Sequence, residues 1–370
     1  MAITIRALNR ALLARQGLLE RMALPLPAVA ERIGALQMQY WPALGPALWT
    51  RTFACPPESP WQAHETGDLV TGTLLRGTIH TVTPGDYPAY AAVAAASKVG
   101  SFRAGPEPEI GDLLDMLREL GDTPRPGADL VSAIDVWVSE HPGVFSDREI
   151  ELQRLYRWTS VVMRVGFIRV PAEGAWSRRT PVLYARGPAK DFPPLPEALE
   201  FVLRRHLGAF GPAAAEDAAS WIAWNITPVR AALEAMPDLV RLTDETGRTL
   251  YDLPGAPRPG EDVEAPVRLL PWFDSTLLAY APGRRTRILP DAHKDDVYVK
   301  ANGQIKPSFL VDGQVAGLWT MTSTRAGAAL ILTPLEAVPI LAKAELIAEA
   351  KRLLEFAHPD AASHEVVFRG

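Results

Sequence analysis

The sequence predicts an α+β protein in which tandem winged-helix modules precede a C-terminal antiparallel, β-rich and barrel-like domain. Three observations carry this expectation. A pattern of apolar helices leading into a short β-branched hairpin recurs three times within roughly residues 1–265. Residues 266–335 change character and become strand-rich, with hairpin signals at Asn302-Gly303 and Asp312-Gly313. Helices come first and strands later, which argues against a doubly wound sheet. The implied divisions are 1–130, 131–195, 196–265 and 266–370.

In order, residues 6–20 read as a helix with Leu8, Leu12, Leu13, Leu18 and Leu19 on its apolar face. A second helix starts near Pro27, carries Val29, Ile33 and Leu36, and must stop by Trp41, which precedes Pro42. Leu44 to Phe53 is expected to be a third. Asp68 to Leu75 is expected to be a fourth, feeding a β-branched strand from Thr78 to Thr83. In the second copy, Ser146 and Glu149 offer a capping box. Residues 166–170 and 181–184 read as strands joined by a wing from Pro171 to Ser177. The third copy comprises helices at 198–210, 214–223 and 229–236, then a hairpin around Glu245-Thr246-Gly247. The chain closes with a helix near 339–356 and a strand near 365–368.

Composition excludes several function classes. Of 370 residues, 48% are apolar and 22% charged, ordinary for a soluble globular protein. Cys55 is the lone cysteine, so an intrachain disulfide, a four-cysteine zinc site and a four-cysteine cluster are out. Seven scattered histidines show no ligand spacing, no metal or cofactor is expected, and no Walker loop is present. Arginines interrupt the first residues, and no apolar run reaches about 18, so neither a signal peptide nor a membrane span is expected and the default location is the cytoplasm. The net charge of -5 hides a local bias. Arg154, Arg157, Arg164, Arg169, Arg178, Arg179, Arg186 and Lys190 face only Glu173, whereas residues 107–135 are acidic. Such segregation fits one face turned to a polyanion, or two solvated faces of opposite sign.

The residues richest in chemical content are Gln37-Met38-Gln39, before Tyr40-Trp41-Pro42. On a helix, i and i+2 lie 200 degrees apart and could not share a substrate. In an extended segment they point the same way, with Met38 turned into the core. Two uncharged amides can hold a water and steady a polar transition state, but neither is an ordinary general base. From the residues alone, a pair of surface glutamines at a helix end is the simpler reading.

A set of short motifs spread over nearly the whole chain goes further. They are Leu8-Asn9-Arg10, Arg15-Gln16-Gly17-Leu18, Leu36 to Gln39, Arg76 to Val82, Asp86-Tyr87, Leu270 to Asp274, Asn302-Gly303 and Leu310 to Trp319. Together they resemble the AlkZ-type winged-helix DNA glycosylases. The resemblance implies removal of alkylated purines from double-stranded DNA, unhooking of interstrand cross-links, and self-resistance to an antibiotic such as azinomycin B. It implies Gln37 and Gln39 as the catalytic pair. An N7-alkylated guanine leaves as a neutral base, so placement and electrostatics are the main tasks and no lysine nucleophile is needed. The expectation is a monofunctional enzyme acting as a monomer. Two departures stand out: Ser275 and Tyr280 occupy positions where the family commonly has asparagine and histidine.

Expected DNA contacts follow. Arg178 and Arg179 lie beside the second wing, Arg157 and Arg164 in the segment before it, and Arg284, Arg285 and Arg287 follow Pro282-Gly283. Lys300 and Lys306 flank the Asn302-Gly303 turn. Arg76 and His80 are expected at the active-site wall, with His80 either touching DNA or packing. Asp274 is expected to fix local backbone. Two other function classes remain compatible with the pattern: a non-catalytic winged-helix regulator, and a protein that sequesters a drug.

Overall fold

The structure, a computed structural model, describes residues 2–97, 109–189, 191–301, 303–324 and 326–369. Glu107, Lys190 and Asn302, which contribute to the charge runs and a hairpin signal, lie outside the described residues.

The first part of the chain forms α1 (Ile5–Arg15), α2 (Leu26–Ile33), β1 (Leu36–Gln37), α3 (Leu44–Trp49), α4 (Ser59–Glu65), β2 (Val70–Thr73), β3 (Ile79–Val82) and α5 (Tyr87–Ala95). The Thr4 hydroxyl caps α1 by accepting from the Ala7 N–H at 3.1 Å. Residues 68–75 are not a helix. Val70, Thr71 and Thr73 are β-branched and pair as β2 with β3, and a short 3-10 turn at Leu75–Gly77 closes the hairpin.

Next come α6 (Gly111–Leu120), α7 (Gly127–Glu140), α8 (Asp147–Leu155), α9 (Thr159–Val162), β4 (Phe167–Pro171) and β5 (Val182–Arg186). Ser146 and Glu149 do form a capping box on α8. The hairpins of these two parts share one sheet, in the order β1-β3-β2-β4-β5. Gly72 pairs with Ile168 at the junction. A side chain there would sit 2.9 Å from both the Phe167 carbonyl and the Tyr87 ring, so only glycine lets the strands meet.

The third part holds α10 (Leu195–Phe210), α11 (Ala215–Ile222), α12 (Ile226–Glu234) and a two-stranded hairpin of β6 (Val240–Thr243) and β7 (Thr249–Asp252). Beyond it lie β8 (Arg268–Leu270), α13 (Lys294–Val297), β9 (Tyr298–Val299), β10 (Gln304–Ile305), β11 (Ser308–Val311), β12 (Gln314–Ser323), β13 (Ala328–Pro334), α14 (Ile340–Ala357) and β14 (His364–Phe368). The expected barrel is not there. The C-terminal sheet is open, in the order β14-β13-β12-β11-β8, so β14 and β8 are edges and never pair. Nor is it wholly antiparallel, because β14 runs parallel to β13. The cause is α14, whose Leu346, Ala350, Leu353 and Leu354 bury against the sheet and carry the chain back in the direction a parallel strand requires.

Helix α1 ties these parts together through polar side chains buried on its inner face. Asn9 donates to the carbonyls of Arg287 (2.6 Å) and Gly313 (2.8 Å). Arg15 forks onto Asp252 at 2.7 and 2.9 Å. Gln16 donates to the Ile33 and Ala209 carbonyls and accepts from Arg51, which also holds Asp274 at 2.9 Å. Buried polar groups of this kind are tolerated because every head finds a partner. They place the 3-10 turn at Ser275–Leu277 against the approach to β1, where the Ser275 hydroxyl donates to the Ala35 carbonyl at 3.0 Å.

Candidate active site

Gln37 sits on a strand, not a helix end, and Gln39 lies in a bend two residues beyond it. Helix α2 stops at Gly34, whose φ of +79 suits glycine and turns the chain into β1. Gln37 then pairs with His80 of β3. Met38 is buried, and its N–H donates to the Ile79 carbonyl at 2.7 Å. Gln37 is 6% exposed, whereas Gln39, beyond the end of the strand, is exposed.

Each amide is fixed by an obligate donor. Arg76 donates to Gln37 Oε1 at 2.5 Å, and the Ile79 N–H donates to Gln39 Oε1 at 3.1 Å. Neither donor can accept, so both amides must direct oxygen inward. Among the described residues, neither Nε2 group has a hydrogen-bond partner. Two donor-bearing ends are thus free, together with the second lone pair of each oxygen.

Arg76 occupies the left-handed region (φ 57, ψ 17) in the hairpin turn, which aims its side chain back toward β1. Its guanidinium also donates to the Trp221 carbonyl and approaches His80 Nε2 at 3.4 Å. Trp221 lies in the last turn of α11, where the helix dipole presents partial negative charge. Among the described residues no carboxylate pairs with Arg76. Burial, and secondarily Arg285, lower its pKa to about 10, so it stays a cation at neutral pH. His80 is buried, which drives its pKa to about 3, with Arg76 adding to the effect. Its Nδ1 lies 3.0 Å from the Thr78 carbonyl. The neutral ring therefore carries its proton on Nδ1 and accepts at Nε2.

Gln39 opens onto a cleft of about 460 Å³. Thr73, Gly77 and Ile79 share its wall; Gly127 and Leu130 of α7 face it with Arg157, Arg169 and Tyr184. Arg157 (φ 53) and Trp158 (φ 56) are consecutive left-handed residues between α8 and α9. That turn buries Trp158, which donates to Asp135, and leaves Arg157 exposed. In the sequence, Arg169 belongs to a charge run and Tyr184 to a strand, and neither is marked as a site residue. Their pairing across β4 and β5 brings both to the cleft, a placement that composition could not reveal.

The other expected contacts divide. Arg179 is exposed, and its side chain has no partner among the described residues. Arg178 instead turns inward, donates to the Ala357 carbonyl at 2.9 Å and thereby caps α14. Arg164 is half-buried beside α9. Arg284 carries no side-chain partner among the described residues, whereas Arg285 donates to the Tyr280 carbonyl and lies 4.7 Å over the Tyr298 ring. Arg287 is buried against Tyr280 and the Pro212 carbonyl. Lys300 pairs with Asp295. Tyr280 is buried and donates to the Phe210 carbonyl at 2.7 Å, so it holds the core and offers no surface contact. Asp274 holds more than backbone: it caps the Ser275 turn through the Thr276 N–H and anchors Arg51.

The acidic and basic segments partly neutralise one another. Arg154 pairs with Asp135 at 2.9 Å and Arg186 with Asp122 at 3.1 Å. The wing from 172 to 181 is also docked. Trp176 packs 5.1 Å from Trp41 and 5.3 Å from His64, and Trp41 donates to the Ser177 carbonyl at 2.8 Å. Among the described residues no group of three acidic, histidine or cysteine side chains could hold a metal, and no helix is long and apolar enough to cross a membrane.

Fold and site together define an α+β protein of winged-helix-like arrangement, with a clamped glutamine pair of which Gln39 lines an arginine-bearing cleft. The chain belongs to the AlkZ-like DNA glycosylase family, whose model matches residues 30–356. It is similar to the interstrand DNA cross-link repair glycosylase of Streptomyces sahachiroi, at 25% identity over 334 residues, covering 83% of this chain and 84% of that protein. Its fold is shared with the solved structure of Streptomyces sahachiroi DNA glycosylase AlkZ, at a TM-score of 0.76 and 21% identity over 100% of both chains.

Proposed function

We propose that this protein is a monofunctional glycosylase that excises N7-alkylated purines from double-stranded DNA, that it unhooks azinomycin-type interstrand cross-links, and that it confers self-resistance in the cytoplasm while acting as a monomer. The observation that carries this reading is the glutamine pair, held by Arg76 and Ile79, with Gln39 lining an arginine-bearing cleft that the buried Gln37 does not itself line. In the reaction the C1′–N9 bond breaks and its electron pair neutralises the cationic base. Water forms the new C1′–O bond and its proton passes to solvent. No acid is needed for the leaving group, which suits a site where His80 is neutral and no carboxylate touches the pair among the described residues.

The two amides are not equivalent. Gln37 Oε1 is polarised by a guanidinium, which makes it a poor further acceptor, so Gln37 acts through its Nε2 donors on an oxygen or nitrogen of the nucleotide. Gln39 Oε1 meets only a neutral N–H at 3.1 Å and opens to the cleft, so it is the better acceptor for the attacking water. Gln39 thus orients water while Gln37 orients substrate. The test is incubation with duplex containing N7-methylguanine. Release of free base with an intact but alkali-labile strand is expected. DNA binding without release would favour a regulator, and drug binding without either would favour a sequestering protein.

A further inference from the structure

We infer that the cleft opposite Gln39 is a seat for one phosphodiester of the DNA backbone, held by Arg157 and Arg169. This rests on the proposed action on DNA and adds where the strand is gripped. The cleft's polar equipment is mainly of donors. Arg157 is exposed, and its head has no partner among the described residues. Arg169 donates one bond, to the Tyr184 hydroxyl at 3.2 Å, and its guanidinium carbon lies 5.5 Å from the Tyr184 ring centre. Its Nε is buried with no acceptor, so the fork is held by the ring and left unsatisfied. No carboxylate is among the lining residues. At the same wall, Gly127 begins the 14-residue helix α7, whose first turn has no side-chain cap; the Asp129 of that turn is exposed and does not line the cleft.

Two guanidinium groups and a helix start suit a compact monoanion with two terminal oxygens, which a fork can grip with paired hydrogen bonds. A nucleobase edge carries no charge to match the two guanidinium groups. Gly127 is part of the design: a Cβ there would approach the Tyr184 ring to 2.9 Å and displace the platform under Arg169. Because Gln39 lines the same cleft, a phosphate seated there would fix the strand next to the candidate catalytic pair through its backbone alone. That grip is independent of the adduct, and it does not require a tethered base to rotate first.

The test uses the full chain and measures binding to undamaged and N7-methylguanine duplexes by fluorescence anisotropy from 50 to 300 mM salt, ~ a range wide enough to resolve one counterion. Arg157→Gln and Arg169→Gln should each weaken both duplexes equally, on the order of tenfold, and each should reduce the logarithmic salt slope by about one unit. Arg169→Lys should restore part of the slope. Arg118→Gln, whose head is committed to Asp115, should leave it at the wild-type value. If Arg169→Gln disturbs folding, as judged by thermal melting, the exposed Arg157→Gln decides. Unchanged slopes in the folded variants would overturn the seat. A loss confined to adducted duplex would also overturn it, by assigning the cleft to the adduct. The slopes are read on undamaged DNA, so a wild-type protein that binds duplex yet releases no base would defeat the glycosylase reading separately.

Discussion

Arg76 donates to the amide oxygen of Gln37 at 2.5 Å, and the same guanidinium reaches the Trp221 carbonyl at the end of α11. A buried cation thus links the third helical part of the chain to the residue expected to touch substrate. Replacing Arg76 with methionine should free the Gln37 amide to rotate, remove the bond to α11 and lower the single-turnover rate more than affinity for undamaged duplex. Rate loss on the order of 10- to 100-fold is expected if preorganisation is its role. Arg76→Lys should recover little, because one ammonium cannot reproduce the fork to both partners. A purely structural role would instead show matched losses in melting temperature and binding with an unaltered rate on folded protein.

The asymmetry of the two amides gives a second expectation. Gln37→Ala and Gln39→Ala should each slow base release by about 10- to 1000-fold. Only Gln37→Ala should also cost stability, because it strands Arg76, while Gln39 is exposed. Glutamate separates the roles further. Gln39→Glu keeps an acceptor for water and should retain more activity than Gln37→Glu, which would pair with Arg76 and lose its donors. Single-turnover release of N7-methylguanine decides this; two alanine variants at the wild-type rate would dismiss the pair.

Much of this arrangement was legible in the sequence, for identifiable reasons. Helix starts at Ser146 and the hairpin at Asp312-Gly313 rest on local chemistry, and both elements form where that chemistry lies. The motif Gln37-Met38-Gln39 pointed to a paired site because extended spacing puts i and i+2 on one side. Arg76 is marked in the sequence as a residue of the site wall, but nothing local shows that Arg76 and Ile79, some 40 residues away, clamp the two amides. Asp68 to Leu75 misled because its apolar residues follow no single period, whereas pairing with β3 decides the outcome. Barrel closure depends on which sheet edges meet, and hairpin signals say nothing about that. Asn9 and Arg15 were invisible as core residues because apolar periodicity counts only the leucines around them.

Arg178 and Arg179 are neighbours with different expected phenotypes. Arg179→Glu should weaken damaged and undamaged duplex alike and reduce the salt slope by about one unit, with little effect on melting. Arg178→Glu should cost about 1.5 kcal/mol of stability by removing a charged bond to the α14 terminus. Salt titration and urea unfolding of each single variant distinguish them; equal melting temperatures would contradict the inward role of Arg178.

Acid should destabilise the fold earlier than carboxylate titration alone would require. Burial lowers the pKa of His64 to about 4, His80 to about 3 and His206 to about 4. In the unfolded chain each titrates near 6.5, so the unfolded state binds more protons as pH falls below that value. Stability contributed by these neutral rings is full above about pH 6.5 and declines through the window down to about 4, by up to about 1.4 kcal/mol per pH unit for each ring. Urea midpoints at pH 7.5, 6 and 5 should fall in that order. His64→Asn, which can still donate to the Pro60 carbonyl, should flatten the decline by one proton. Midpoints independent of pH over this range would mean that the rings are not held neutral.

The arginine turn after Pro282-Gly283 should matter most for bulky duplex lesions. Both strands stay attached to a cross-link until a glycosidic bond breaks, so full rotation into a closed pocket is mechanically denied. Contacts that grip the duplex beside the glutamines then carry more of the positioning. Arg285 is committed to the Tyr280 carbonyl and the Tyr298 ring, and it is close enough to Arg76 to lower its pKa. Arg284 has a free head among the described residues. Arg284→Ala should therefore reduce unhooking of a defined N7-guanine cross-link several-fold more than excision of an N7-methyl adduct. Deleting Gly283 to Arg285 should widen that gap and also disturb the Arg76 region. Denaturing gels resolve the two rates on the same protein preparation. Equal losses would remove the turn's special role, and failure of the wild-type chain to unhook any cross-link would confine it to single-strand adducts.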